Sequence, residues 1–250
     1  MINIKTDEEI EKMRIANQIV AKVLKKLTVM VREGTTTREL DETAEEMIRK
    51  EGARPSFKGY RGFPNALCVS VNEVVVHGIP GNRKLKNGDI VSLDVGTEYE
   101  GYYGDAAVTC SVGEISDEAK RLLRVTREAL YGGIKYANAG NHLSDISNAI
   151  QKMAESAGFS VVTDFVGHGI GTSQHEDPQI PNYGPSGHGP ILKKGMVLAI
   201  EPMVNAGTWE VNVLDDDWTV VTNDGKLSAH FEHSVAITEN GPDILSELIT

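Results

Sequence analysis

The sequence predicts an α+β fold made of two related halves, on three observations. Helical and strand-like patterns come in blocks, two helices and then strands, and that order occurs twice. Short segments of the first occurrence match segments of the second in the same order. Acidic residues sit at matching positions inside otherwise apolar strand patterns. The expected arrangement is two curved, mostly antiparallel sheets that face one another, with helices outside and the carboxylate strands inside. No Ser/Gly-rich linker separates the halves, at about 34–112 and 140–238, so residues 1–250 are read as a single domain.

Each element has its own signal. Thr6 with Glu9 forms a capping-box pattern, and Ile10, Met13, Ile19, Val20, Val23 and Leu27 supply a helical stripe that ends near Gly34. Thr36 with Glu39 repeats the cap, Leu40, Ala44 and Met47 follow at helical spacing, and Gly52 is the stop. Strand-like runs occupy 66–71, 74–77, 89–95 and 106–112. Ser116 caps a third helix over about 117–138, Gly140 separates it from a fourth over 143–157, and Gly158 ends that one. Strand patterns then run to the C-terminal end.

The internal match is specific in places. The segment from Gly34 to Gly52 lies over Gly140 to Gly158, with Leu40 on Ile146, Ala44 on Ile150 and Met47 on Met153. "LKNGDIVSLD" (85–94) lies over "LKKGMVLAIE" (192–201), which places Asp94 on Glu201. "DAAV" (105–108) lies over "EHSV" (232–235), which places Asp105 on Glu232, and "HGI" begins at both His77 and His168. Any one match is within reach of chance. Four in one order are not.

Composition excludes several classes of function. The chain has 250 residues and a formal net charge of −11, and its Lys and Arg form no patch or tail that could neutralise phosphates, which argues against nucleic-acid binding. Its two cysteines, Cys68 and Cys110, have no CxxC spacing, so neither a disulfide framework nor a thiolate zinc site is expected. The N-terminal segment reads as an amphipathic helix and not as a signal peptide, and no apolar run approaches the roughly 20 residues that span a bilayer. The expectation is a cytoplasmic protein, monomeric for want of an exposed apolar stripe.

A single acid in a strand usually caps a turn or pairs at the surface. Asp94, Asp105, Glu201 and Glu232 occupy matching strand positions with no basic residue beside them, and buried carboxylates without compensation would neutralise. Metal ions are the simplest compensating charge. Oxygen ligands with one imidazole favour manganese, iron(II) or cobalt and admit zinc. Four carboxylates exceed the need of one ion and suit two, about 3.5–4 Å apart, as in hydrolases and aminopeptidases. His168 and His175 fall on the glycine-rich "GHGIGTSQHEDP" (167–178), where backbone can approach a site closely. "GHGIG" is not a dinucleotide loop, because no helix pattern follows it, and "PNYGPSGHGP" lacks the Gly-Lys-Ser/Thr of a phosphate loop.

Taken in order, "NEVVVHGIPG", "DIVSLDVG", "GYYGDAAVT", "VGHGIG", "HEDPQIPNYG", "GMVLAIEPMV" and "SAHFEHSVAIT" resemble the type I, bacterial-type methionine aminopeptidases over nearly the whole chain. The resemblance implies the duplicated pita-bread fold and hydrolytic removal of N-terminal methionine, with preference for a small second residue. It also implies two divalent metal ions held by Asp94, Asp105, His168, Glu201 and Glu232, with Asp105 and Glu232 bridging. Glu201 is then the general base and acid, His175 contacts the substrate carbonyl, and His77 faces the scissile amide.

By the same resemblance a methionine-sized pocket is lined by Tyr60, Phe63, Cys68, Phe165 and Trp218, with Ser56 and Phe57 nearby. Four positions differ from the family's usual residues: Ser56 for a cysteine, Phe63 and Phe165 for tyrosines, and Gln174 for an aromatic before His175. On that reading none of them touches a metal ligand. The implied partners are N-terminal methionyl peptides and nascent chains, met at the ribosome. X-Pro peptidases resemble the chain in fold and ligands but carry a sizeable N-terminal domain. Only about 65 residues precede its first catalytic strand. A metal-free binding protein of the same fold is disfavoured by the presence of all five ligand types together with His77 and His175.

Overall fold

The structure, a computed structural model, describes residues 1–247. The first half contains α1 (Asp7–Met30), α2 (Thr37–Lys50), β1 (Arg54–Pro55), β2 (Leu67–Val71), β3 (Val74–Val76), β4 (Ile90–Tyr99) and β5 (Tyr102–Ser111). The second opens with α3 (Asp117–Ile134), α4 (Leu143–Ser156), β6 (Ser160–Val161), β7 (Gly167–Gly169), β8 (Glu176–Ile180), β9 (Val197–Ile200) and β10 (Met203–Asn205). It closes with β11 (Val211–Val213), β12 (Val220–Thr222), β13 (Ser228–His230), β14 (Glu232–Thr238) and β15 (Gly241–Ile244).

The main sheet runs β1-β4-β5-β14-β9-β7-β8, with β2 also on β4 and β15 also on β14. All of its pairs are antiparallel, and the seam between the halves is the pairing of β5 with β14. Two small sheets, β13-β10-β6 and β11-β12-β3, extend it. Val91, Leu93 and Val95 on β4 pack with α1 and α2 in one apolar cluster, and Leu198, Ile200, Val235 and Ile237 pack with α3 and α4 in another. Strand alternation then turns the intervening residues, the acids among them, to the opposite face.

The sequence repeat has a backbone counterpart. Gly34 N–H donates to Leu85 O and Leu85 N–H to Thr35 O; Gly140 N–H donates to Leu192 O and Leu192 N–H to Asn141 O. Leu40, Ala44, Ile146 and Ile150 are all fully buried, so the two helices turn equivalent faces to their sheets. Thr6 and Thr36 both close capping boxes, in which each hydroxyl accepts from the N3 amide and the N3 glutamate accepts from the cap amide. Helix α3 stops at Ile134, short of the predicted 138. Near its end Gly133 faces α4 so closely that a Cβ would lie 2.7 Å from Ile150, and the chain leaves in turns between Tyr136 and Gly133 and between Ala137 and Ile134.

Candidate metal centre and substrate cavity

Register alone brings the predicted ligands together. Cys68 on β2 stands opposite Asp94 on β4, Asp94 opposite Ala107 on β5, and Ala107 opposite Glu232 on β14. Asp105 is two residues from Ala107 and therefore shares its face. On the other side Ser234 pairs with Ala199 on β9 and Ala199 with His168 on β7, while Glu201 lies two residues beyond Ala199. Counting by twos across these strands puts Asp94, Asp105, Glu232, Glu201 and His168 on one face, although they span 139 positions of sequence from 94 to 232.

The side chains meet there. One ligand atom from each of Asp105, His168 and Glu232 lies within 4.8 Å of the other two. Glu201 Oε1 is 3.5 Å from His168 Nε2, and the Asp94 and Asp105 carboxyls are within hydrogen-bonding contact. Asp94 Oδ1, Asp105 Oδ1 and Glu232 Oε1 are buried without a hydrogen-bond partner. Burial raises the Asp94 carboxyl to about 7. Burial first, then repulsion from the neighbouring acids, holds Asp105, Glu201 and Glu232 well above the usual carboxylate range. Among the described residues no Lys or Arg pairs with any of the four. Orphaned, mutually repelling carboxylate oxygens beside a free imidazole nitrogen form a donor set that fits hard divalent cations.

His168 presents one ring nitrogen to the acids. Its Nδ1 is 2.9 Å from the Gly169 carbonyl, so Nδ1 carries the proton and donates, and Nε2 presents a lone pair towards the acids. Burial pushes this imidazole down to about 3. His175 stacks near it with ring centroids 4.2 Å apart, and its Nδ1 is 2.8 Å from the Tyr60 hydroxyl. With Tyr60 as the donor to Nδ1, the His175 proton sits on Nε2. Burial lowers His175 to about 4, with a further contribution from Arg61, so the ring is neutral near pH 7.

His77 follows β3 with a left-handed φ of 59°, which a non-glycine residue adopts only when its surroundings impose it. The next residue, Gly78, admits no side chain, because a Cβ would lie 2.3 Å from the Val69 carbonyl oxygen. His77 stands edge-on to Phe165 at 5.6 Å and to Trp218 at 6.1 Å, and burial lowers it to about 4. Beside the acids a cavity of about 160 Å³ is lined by Phe57, Tyr60, Phe63, Cys68, His77 and Trp218 as well as Arg61, His175 and the five candidate ligands. For scale, an apolar cavity of about 150 Å³ accepts benzene, so this one takes a single large apolar side chain.

The structure departs from the sequence reading at two places. Phe165 does not line the cavity: it packs with Val75, Val162 and Met203 and backs His77 from behind. Ser56 and Phe57, expected near the pocket, both pack against Gly96, and Phe57 reaches the cavity. Gln174, read as touching no metal ligand, is 2% exposed and donates its amide to Asp105 Oδ2. The reading also missed Arg61 in the cavity and His230 beside Glu201. For His230 a signal existed, since it stands two residues before Glu232 and strand alternation places such pairs on one side.

Comparison with known proteins agrees with this geometry. The model of metallopeptidase family M24 matches residues 11–239. The methionine aminopeptidase 1 of Bacillus subtilis (strain 168) is 57% identical over 248 residues, covering 99% of this chain and 100% of that protein. That of Clostridium perfringens (strain 13 / Type A) is also 57% identical, over 246 residues, 98% of this chain and 99% of that protein. Among solved structures, the methionine aminopeptidase from Thermotoga maritima superposes with a TM-score of 0.97 at 53% identity, over 99% of this chain and 100% of that one. The prolidase from Pyrococcus furiosus has a TM-score of 0.81 at 25% identity, and the match takes up 99% of this chain but 66% of the prolidase. The architecture shared with these structures is the duplicated α+β pita-bread fold. On a family match over most of its length and on full-length relatives of this identity, the chain belongs to metallopeptidase family M24, among the methionine aminopeptidases.

Proposed function

We propose that the protein hydrolyses the first peptide bond of chains that begin with methionine, preferring a small second residue. The observation that carries this reading is the adjacency of two features: five metal-type donors on one sheet face, and a cavity for one apolar side chain opening beside them. As a member of family M24 it is a divalent-metal hydrolase. Asp94, Asp105, His168, Glu201 and Glu232 would hold two divalent ions, of cobalt, manganese, iron(II) or zinc. Bound there, divalent cations supply Lewis-acid polarisation and make water a stronger acid.

The protein's own groups do the rest. The methionine side chain enters between Phe57, Phe63, Cys68 and Trp218, which fixes the first residue and sheds its water. His175, with Tyr60 on Nδ1, presents Nε2–H to the carbonyl oxygen where negative charge develops. Water adds to the carbonyl carbon and gives one proton to Glu201. The C–N bond then breaks, and Glu201 returns that proton to the departing amine, which His77 keeps in line.

We further read residues 1–250 as one catalytic unit whose halves, 34–112 and 140–238, together supply the site. Two free cysteines suit a reducing, cytoplasmic setting. No helix among the described residues is long and apolar enough to cross a membrane. Action as a monomer on methionyl peptides and nascent chains, including at the ribosome, completes the reading.

The test is release of methionine from Met-Ala-Ser beside an X-Pro peptide, on protein stripped with chelator and reloaded separately with manganese, iron(II), cobalt or zinc. Metal-dependent cleavage of the methionyl peptide alone is expected. Cleavage of the X-Pro peptide instead would place the protein with the prolidases, and cleavage of neither with metal bound would leave a binding protein.

A further inference from the structure

His230, the last residue of β13, is 1% exposed, and neither of its ring nitrogens has a hydrogen-bond partner. A buried imidazole in that condition calls for an explanation, because buried polar groups are ordinarily paired. Its Nε2 lies 3.7 Å from Glu201 Oε2, while His168 Nε2 lies 3.5 Å from Glu201 Oε1. The two imidazoles thus flank one carboxylate, each facing a different oxygen.

They are mounted differently. His168 is tied at Nδ1 to the Gly169 carbonyl, which commits its proton away from Glu201. His230 has no such tie at the ring, and its backbone is the part that is held. Its N–H donates to Thr109 Oγ1 at 2.9 Å, and the Thr109 hydroxyl lies 2.7 Å from its carbonyl oxygen. Met203 pairs with it across the strand. The backbone is fixed on both sides, while a neutral imidazole has one N–H and this ring has no other hydrogen-bond partner for it.

We propose that His230 is a positioning residue for Glu201, donating Nε2–H to Oε2 and so leaving Oε1, on the His168 side, as the ligating oxygen. The proposal rests on the reading of Glu201 as ligand and base. Carboxylate ligands are themselves held by outer hydrogen bonds, and loss of such a bond lowers metal affinity or activity by about 10–100-fold.

Two measurements test it. In the zinc-loaded, otherwise unaltered protein, nitrogen NMR of the imidazoles is expected to find His230 protonated at Nε2 and bare at Nδ1; the opposite tautomer would overturn the proposal. Zinc dissociation constants from chelator competition are then compared among the parent, His230→Leu, His230→Gln and Glu201→Gln. Leucine is expected to weaken zinc by about 10–100-fold, and glutamine, whose amide can reach the same oxygen, to recover most of that loss. Parent-like affinity in His230→Leu would overturn the proposal, and if that variant does not fold the tautomer decides. Should Glu201→Gln bind zinc and turn over Met-Ala-Ser like the parent, the reading of Glu201 falls and this proposal with it. If Glu201→Gln collapses while His230→Leu keeps parent affinity, only the role of His230 is lost.

Discussion

His77 and His168 hold corresponding places in the two halves, each followed by Gly-Ile, yet they stand in opposite company. His168 lies among acids with its free nitrogen 3.5 Å from a carboxylate oxygen. His77 lies among aromatics, edge-on to Phe165 and Trp218, at the wall of the cavity. Duplication delivers an imidazole to each side of the sheet face, and the neighbours decide what each can do. The second half places His168 in the strand next to β9, so its ring reaches the acids. The first half ends β3 before His77, and β3 pairs in a small sheet outside the main one. Symmetry builds the frame, and departure from symmetry sets one imidazole among acids and the other among aromatics.

The largest effect that sharpens this comparison belongs to Glu201, the acid matched to Asp94. Glu201→Gln keeps the shape but cannot take a proton, and removal of a general base costs about 10²–10⁴-fold in turnover. Methionine release at saturating metal and peptide measures it. A Glu201→Gln enzyme with near-parent turnover would mean that the two halves share the work differently from the scheme above.

The histidines themselves come next. His168→Ala is expected to weaken metal binding by more than the roughly 10–100-fold typical of outer partners, since it removes a proposed ligand. His77→Ala should bind metal like the parent and lose about 10²-fold in kcat/KM through poor alignment of the amide. Equal loss of metal affinity in both variants would erase the distinction drawn between the two halves.

The acids predict a pH dependence of the metal-free protein. Asp94 titrates at about 7 when folded against 3.8 as its ordinary value, so the folded state holds a proton that the unfolded state releases. Its stabilising contribution is full below 3.8 and is lost as pH rises through about 7, at up to roughly 1.4 kcal/mol per pH unit per proton. Asp105, Glu201 and Glu232, raised in the same direction, extend the loss to higher pH. Calorimetry of the stripped protein should find Tm falling over this range, and the rise in Tm on adding zinc should be larger at pH 7.5 than at pH 5. A metal-free Tm that increases over the same interval would contradict the picture of uncompensated carboxylates.

The sequence carried a good deal of this site because its signals there are local or repeated. Asp94 and Glu201 stand out since each interrupts an apolar strand at the same place in a matched decapeptide. The pairing of β5 with β14 has no local signature, and only that pairing puts Asp105 and Glu232 on one face with His168. The same gap explains the errors. Phe165 is an aromatic of the kind that lines pockets but stands behind His77, and Gln174, expected clear of the ligands, has its amide brought to Asp105 by the turn after β7. Neither direction can be read from one strand at a time.

The smallest expected effect tests the symmetry of the frame away from the chemistry. At α2 the Thr36 hydroxyl accepts from Glu39 N–H at 3.2 Å and Glu39 accepts from Thr36 N–H at 2.7 Å. At the corresponding end of α4, Asp145 accepts from His142 N–H at 2.9 Å, while the His142 ring turns its Nδ1 to the Gly189 carbonyl, 3.1 Å away. The first cap therefore depends on its hydroxyl, and the second keeps its main bond through backbone when the side chain is cut. Thr36→Ala should cost about 1 kcal/mol of stability, and His142→Ala should cost less, because the Asp145 contact survives. Urea unfolding of the two variants measures the difference. Equal losses would mean that the His142 ring contributes as much at its helix as the threonine hydroxyl does at the other, and the two frames would be closer in energy than in chemistry.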